Sequence, residues 1–304
     1  MTTRRDFLRT LGGGAAAALL PLPNAAFVRA AADGIRYGYA AITWGGNDEQ
    51  AIADISAVGF PGIQLRAGVL SRFGDRPREL RDLLARYRLT FVALSSGNVS
   101  IDPALESRMI DEHLSHAQFL REAGGLYLQL IDERPKGRTV TPDDHERLGR
   151  LMTEIGKRTA ELGIPVAYHP HMGSMGEKPA DIERILSASD PRYVRLLLDV
   201  AHYREGGGDP VAAIRQYADR LLFLHIKDLR RDSTAGAPYQ FVELGRGTVD
   251  LPGVFAALRD VRFNGWAVVE LDAVPDKGGT PKASAEISKR YLQEVIGARI
   301  SLPA

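Results

Sequence analysis

From Arg36 onward, short apolar runs alternate with longer stretches in which apolar residues recur every three or four positions. The short runs have strand length and the long ones carry the helical period. The pattern predicts eight strands, over 36–42, 62–66, 90–95, 126–131, 165–169, 194–199, 221–226 and 266–271. It predicts helices between and after them, over 48–58, 78–87, 103–123, 142–162, 179–188, 210–217, 251–259 and 282–296. Asp102-Pro103, Thr141-Pro142 and Asp209-Pro210 each set a capping side chain before a first-turn proline. Gly124-Gly125 and Gly163 follow helical runs, where a left-handed residue ends a helix. Strand runs such as Val194-Arg195-Leu196-Leu197-Leu198 are near-continuously apolar, as in strands covered on both faces. Eight strand–helix alternations without a long linker predict an α/β fold, a single-domain (β/α)₈ TIM barrel over 33–304. An open dinucleotide-binding sheet is disfavoured, because neither a Gly-x-Gly-x-x-Gly after the first strand nor a P-loop is present.

The first residues read as an address. Arg4-Arg5 and Phe7-Leu8 precede a run, 11–22, built only of Leu, Gly, Ala and Pro, and Ala30-Ala31-Ala32 follows. A charged end, a short apolar core and small residues form a secretory signal. The core is about half the roughly 20 residues of a spanning helix, so no stable membrane anchor is expected. The arginine pair resembles a twin-arginine export signal over 1–32, which implies the twin-arginine export machinery as a partner and a periplasmic or secreted product. Composition narrows the chemistry further. The 304 residues contain no cysteine, which excludes thiolate metal sites, thiol nucleophiles and disulfides. Thirty-nine basic and 38 acidic residues leave a net charge of +1, which gives no reason to expect a nucleic-acid partner. Oligomeric state is left open.

Catalytic groups of such a barrel project from the C-terminal ends of its strands. Strand five ends at Tyr168-His169-Pro170-His171, strand six at Asp199 with His202 three residues on. Strand seven runs into His225-Ile226-Lys227-Asp228 and strand eight into Glu270-Leu271-Asp272. Four of the seven histidines stand at or just after these ends. Taken alone, any one of them is more often a hydrogen-bonded surface or core histidine than a ligand, and an Asp after a strand is often only a helix cap. Convergence favours metal: four neighbouring strands end in groups that bind a divalent ion, and nitrogen plus carboxylate without sulfur suits Mn²⁺, Co²⁺, Mg²⁺ or Zn²⁺.

The run Leu197-Leu198-Asp199-Val200-Ala201-His202, then Gly207-Gly208-Asp209-Pro210 and His225-Ile226-Lys227-Asp228, resembles the xylose-isomerase-like sugar isomerase/epimerase barrels. Glu243-Leu244-Gly245-Arg246-Gly247-Thr248-Val249-Asp250 and Gly265-Trp266-Ala267-Val268-Val269-Glu270 are similar to that family's last loop and last strand. Tyr168 to Ser174, His225 to Arg231 and Gly38 to Trp44 are most similar to its dehydratases of keto-cyclitols. The resemblance implies one divalent metal ion held by Asp199, His225 and Glu270, with His169 where the family usually has Glu; His171, two residues along and so on the same side of the strand, is the reserve ligand. It implies substrate contacts from His202 and Arg231, with His171 and Trp44 as further candidates. Gln64 stands where the family often has Glu.

Loss of one Glu puts a symmetric two-carboxylate proton exchange in doubt and suits a one-base elimination. A keto-sugar or keto-cyclitol carries an acidified C–H beside its carbonyl. Glu270 is the expected base, and Lys227, His202 and His171 are the candidate acids for a departing hydroxyl. A bound metal or a neighbouring cation is expected to lower the pKa of such a Lys or His, and the structural alternative for Lys227 is a salt bridge to Asp228 or Glu243. An isomerase or epimerase using the same site is the alternative. A non-catalytic sugar-binding protein and an abasic-site endonuclease fit less well, given one run of eight repeats and a near-neutral charge.

Overall fold

The computed structural model describes residues 34–231 and 238–303. In chain order its elements are β1 (Arg36–Ala40), α1 (Asp48–Val58), β2 (Gly62–Arg66), α2 (Leu70–Phe73), α3 (Pro77–Arg86), β3 (Thr90–Val99) and α4 (Glu106–Glu122). Then come β4 (Tyr127–Asp132), α5 (Pro142–Glu161), β5 (Val166–Tyr168), α6 (Pro179–Ser187), β6 (Val194–Asp199), α7 (Val200–Glu205) and α8 (Pro210–Gln216). The chain ends with β7 (Leu221–Ile226), β8 (Asp228–Arg230), β9 (Gln240–Val242), α9 (Leu251–Asp260), β10 (Trp266–Val269) and α10 (Pro281–Tyr291). Eight of the strands form a closed parallel barrel, β1 through β7 in order, with β10 joining β7 back to β1. The antiparallel pair β8–β9 is an excursion above the barrel between β7 and α9. The expected TIM barrel is therefore the fold.

Most caps act as their residue types require. Thr141 forms a reciprocal capping box with Asp144 at the start of α5, and Asp209 accepts from Val211 and Ala212 at the start of α8. Asp102 caps only a 3₁₀ turn, Pro103–Leu105, so the helix expected from 103 begins as α4 at Glu106. The helix expected to reach 296 ends at Tyr291 and closes in a π-turn, Leu292–Ile296, before Gly297 at φ 78°.

Two boundary differences shape the site. The first strand stops at Ala40, because Ala41–Trp44 coils into a 3₁₀ turn closed by Gly45 at φ 61°. The third runs on to Val99 through a bulge between Ser95 and Asn98, where Gly97 takes φ 107°, a conformation that suits glycine. Ser96, turned outward at that bulge, meets His113 Nδ1 at 2.7 Å and His116 Nδ1 at 2.8 Å on α4. The two histidines thereby pin the bulge to the helix layer.

The barrel interior is plugged by Val92, Ala93, Ala167, Leu197, Phe223, Trp266 and Val268. Trp266 is so placed that a side chain at Gly62 would collide with its ring. Strand side chains on one face recur every two residues. Two residues beyond Ala167, Leu197, Phe223 and Val268 stand His169, Asp199, His225 and Glu270, directly above the plug.

The paired arginines, the apolar run and the alanines of the N-terminal segment lie outside the described residues. Among the described residues no helix is long and apolar enough to cross a membrane.

Candidate metal centre and pocket

His169, Asp199, His225 and Glu270 each bring one ligand atom to within 4.8 Å of the others. All four are buried, His225 completely. Asp199 does both things its position allows. Its Oδ1 accepts from the backbone N–H groups of Ala201 and His202, both at 2.9 Å, and so caps α7. Its Oδ2 is buried, has no hydrogen-bond partner and faces the cluster.

His225 is oriented from across the barrel. Gln64 donates from Nε2 to Gln129 Oε1 at 2.7 Å, which leaves its own Oε1 to accept from His225 Nε2 at 2.9 Å. With the proton on Nε2, the Nδ1 lone pair points at Glu270 Oε1, 3.4 Å away, and at Asp199 Oδ2, 3.6 Å away. A lone pair facing two carboxylate oxygens in a dry interior is repulsive unless a cation lies between them.

Charge points the same way. Lys227 is fully buried; its Nζ lies 2.6 Å from Asp272 Oδ1, 2.9 Å from Glu270 Oε1 and 3.9 Å from Asp199 Oδ2, above the ring of Phe241. Three carboxylates around one ammonium leave two negative charges uncompensated, which one divalent ion cancels. The orphaned oxygen, the aimed lone pair and this charge fit a divalent metal.

Burial pushes His169 well below the usual histidine range, helped by the neighbouring His225, and pushes His202 down to about 3 against the pull of Asp199. Both imidazoles are therefore neutral ligands or acceptors near pH 7. Burial opposes ionisation of Asp199, but His202, Lys227 and His225 hold its pKa well below the ordinary carboxylate value. Glu270 is lowered too, its burial outweighed by His225 and Lys227. For Lys227, burial favours the neutral amine, yet Glu270, Asp199 and Asp272 raise its pKa above the ordinary value. Among the chain's own groups the charges nearest Lys227 are anions, so the lowering expected beside a cation would have to come from a bound ion.

Above the cluster opens a pocket of about 620 Å³. Glu270, His169, His171 and Asp272 line one side of it. Gln64, Ser95, Asn98, Gln129, Arg66 and Asp48 line another. Burial raises Asp48 to about 6 although Arg66 is near. Asp132, buried under the rim, accepts from Tyr168 Oη at 2.7 Å and from the Met175 backbone N–H, tying down the loop that carries His171.

The remaining expected residues are spread more widely. The rings of His202 and His171 lie 3.8 Å apart at the edge of the cluster. Arg231 is mostly exposed and donates to both carboxylate oxygens of Glu205 at 3.2 Å. Trp44 is not among the side chains lining the pocket. The turn after β1 folds its ring edge-on against Tyr39, and its Nε1 donates to Asp54 at 2.9 Å. The salt bridge weighed for Lys227 has different partners. Asp228 accepts from the backbone N–H groups of Leu229, Gly245, Gly247 and Val249, and Glu243 is taken up by Arg246 and Ser284. Sequence reasoning left the role of Gln64 open and gave none to Gln129 or Asp272. The signal for Asp272 was its spacing of two from Glu270.

A closed (β/α)₈ barrel with a nitrogen–oxygen cluster at the C-terminal mouth of its strands defines a metal-competent barrel of the enzyme type. Residues 52–295 match the family model of the xylose isomerase-like TIM barrels, and the chain belongs to that family. It is similar to the inosose dehydratase of Geobacillus kaustophilus (strain HTA426), with 26% identity over 296 residues, 86% of this chain and 94% of that protein. The IOLI protein with a bound zinc atom shares the fold at TM-score 0.72 and 16% identity, over 86% of this chain and 98% of that one. An L-ribulose 3-epimerase does so at TM-score 0.70 and 18% identity, over 87% and 99%.

Proposed function

We propose that this chain is a metal-dependent lyase that removes water from a small keto-sugar or keto-cyclitol. The observation that carries the reading is the bridge made by Lys227, whose Nζ meets Glu270 and Asp272 at 2.9 and 2.6 Å. Two carboxylates that converge on one ammonium act from one side of the pocket. An epimerisation asks for two proton carriers on opposite faces of one carbon. At the position where a second carboxylate would serve, this chain has the imidazole of His169, so the site lacks the paired carboxylates of a two-sided exchange. The similarity to an inosose dehydratase supports the same choice.

His169, Asp199, His225 and Glu270 would hold the metal, which supplies Lewis-acid polarisation of the carbonyl next to the reacting C–H. Glu270, ionised and facing the pocket, takes the proton from that carbon. The C–O bond to the neighbouring hydroxyl then breaks, and the electron pair of the lost C–H becomes the new C=C bond. The proton taken by Glu270 passes to Lys227 while a proton of Lys227 passes to Asp272. Asp272 delivers it to the departing hydroxyl, which leaves as water. The chain returns to its starting state and the substrate has lost one H₂O. His171 and His202 serve as hydrogen-bond partners for substrate hydroxyls. Arg231 is assigned a contact there, reached by exchanging Glu205 for substrate.

Purified, metal-loaded protein incubated with keto-sugars and inososes in deuterated water tests this by NMR. Water loss to an unsaturated or rearranged ketone, without an epimer, is expected. Inversion at the carbon beside the carbonyl with no loss of water would overturn the lyase in favour of an epimerase.

We also propose that residues 1–32 direct export to the periplasm through the twin-arginine route, on the strength of Arg4-Arg5 and the apolar run after them. A reporter fused to residues 1–35 should be exported, and Lys at both arginines should stop it. Export that survives this change would sink the assignment.

A further inference from the structure

His169 belongs to a second cluster. With His171 and His202 it brings one nitrogen from each of three imidazoles to within 4.8 Å of the others. The rings of His169 lie 5.5 Å from His171 and 5.8 Å from His202. His171 donates from Nδ1 to the Met172 carbonyl at 2.7 Å, which fixes its tautomer and leaves the Nε2 lone pair unclaimed. His202 and His169 are at least nine-tenths buried, and Nδ1 of each has no hydrogen-bond partner. The Lys227 ammonium reaches His202 Nε2 only at 3.5 Å, the outer limit of a hydrogen bond, and is held by closer carboxylates. Asp199 Oδ2, 3.9 Å from His202 Nε2, supplies negative charge beside this group without being part of it.

The two clusters ask for different ions. The inner one offers two carboxylates and two imidazoles, and the outer one offers three imidazoles and no oxygen. Carboxylate suits Mn²⁺ and Mg²⁺, whereas imidazole suits Ni²⁺, Cu²⁺ and Zn²⁺, whose affinity for nitrogen is greater throughout. Both clusters draw on His169. The two uncompensated negative charges around Lys227 balance one divalent ion, and a second would leave the buried site doubly positive.

We infer that His169, His171 and His202 form a second cation position, selective for nitrogen-seeking divalent ions and mutually exclusive with the inner one. An ion there takes His169 from the inner site and occupies His171 and His202. The pocket then has two positions that compete for His169, and the outer one favours ions such as Cu²⁺ over Mn²⁺. The competition rests on the proposed inner site; the existence of the outer position does not.

Metal-free full chain, titrated separately with Mn²⁺ and Cu²⁺ and followed by electron paramagnetic resonance, tests this. Cu²⁺ should show coupling to several nitrogens, and one equivalent of it should weaken Mn²⁺ binding. His171→Ala should weaken Cu²⁺ at least about tenfold, a change of 1.4 kcal/mol, and leave Mn²⁺ within about twofold. Retained Mn²⁺ binding also reports an intact barrel, and His171→Gln repeats the test if the alanine variant fails to fold. Unchanged Cu²⁺ affinity in a folded variant overturns the inference. A parallel loss of Cu²⁺ and Mn²⁺ also overturns it, since His171 would then be an inner ligand. If the wild type binds no Mn²⁺ yet loses Cu²⁺ with His171, the inner site fails and the outer one stands.

Discussion

The two halves of the barrel mouth are built from different chemistry. At or just beyond the ends of β5, β6, β7 and β10 stand His169, Asp199, His225 with Lys227, and Glu270, all of them buried and each able to hold or exchange charge. Strands β2, β3 and β4 turn the uncharged Gln64, Ser95, Asn98 and Gln129 towards the same pocket, with Arg66 and Asp48 the charged groups on that side. One half has its charges balanced only when a cation is added. The other presents hydrogen-bonding groups in fixed directions, suited to the hydroxyls of a polyol. One side-chain hydrogen bond crosses the pocket floor between the halves, from His225 to Gln64, residues 161 positions apart. Ionisable groups crowd one side, and on the other the amide of Gln64 sets which nitrogen of His225 faces the cluster.

The hardest blow to the charged half is Asp199→Ala. It should remove most of the bound metal and the activity, and cost about 1 kcal/mol of stability through the lost cap on α7. Elemental analysis of the purified variant checks this, and full metal content would show that the charged half is not the metal site. Glu270→Gln keeps one oxygen ligand and removes the base. Turnover should fall by at least about 10², with a smaller fall in metal than for Asp199→Ala. Deuterium exchange at the carbon beside the carbonyl should vanish. Restoration of turnover by excess metal would reduce Glu270 to a ligand.

Gln64→Leu carries the comparison across the divide. Loss of the acceptor for His225 Nε2 frees the ring to flip or change tautomer, and metal affinity should fall roughly 10- to 100-fold, the usual range for such partners. Equilibrium metal titration reads this directly, and unchanged affinity would make the cross-barrel bond idle. The smallest effect concerns acid. Burial, with help from His116, lowers His113 beneath the β3 bulge to about 4. Its folded pKa lies below the unfolded value near 6.5, so the stability it gives is complete above that pH and is lost as pH falls towards about 4. At most one proton is involved, or about 1.4 kcal/mol per pH unit. His113→Asn should flatten the fall in urea midpoint between pH 7 and pH 5; an unchanged slope would mean that His113 takes up no proton on unfolding.

Periodicity, turn chemistry and strand-end residues were enough to read the barrel and to gather the polar ends of strands five to eight, from which the family resemblance singled out His169, Asp199, His225 and Glu270. These features are local: a strand's alternation places every second residue on one face whatever lies opposite, and a barrel of parallel strands collects their C-terminal ends. The sequence by itself therefore determined the element order, the caps at Thr141 and Asp209, and the set of side chains above the plug. Closure of the ring decided the rest. Only tertiary structure puts Gln64 against His225, turns Trp44 away from the pocket, and gives Lys227 to Glu270 and Asp272 in place of Asp228 or Glu243. Each of these depends on a partner or a turn that periodicity does not encode. The pKa of a buried lysine or histidine follows from what surrounds it in three dimensions, because burial and neighbouring charge act through space and not along the chain.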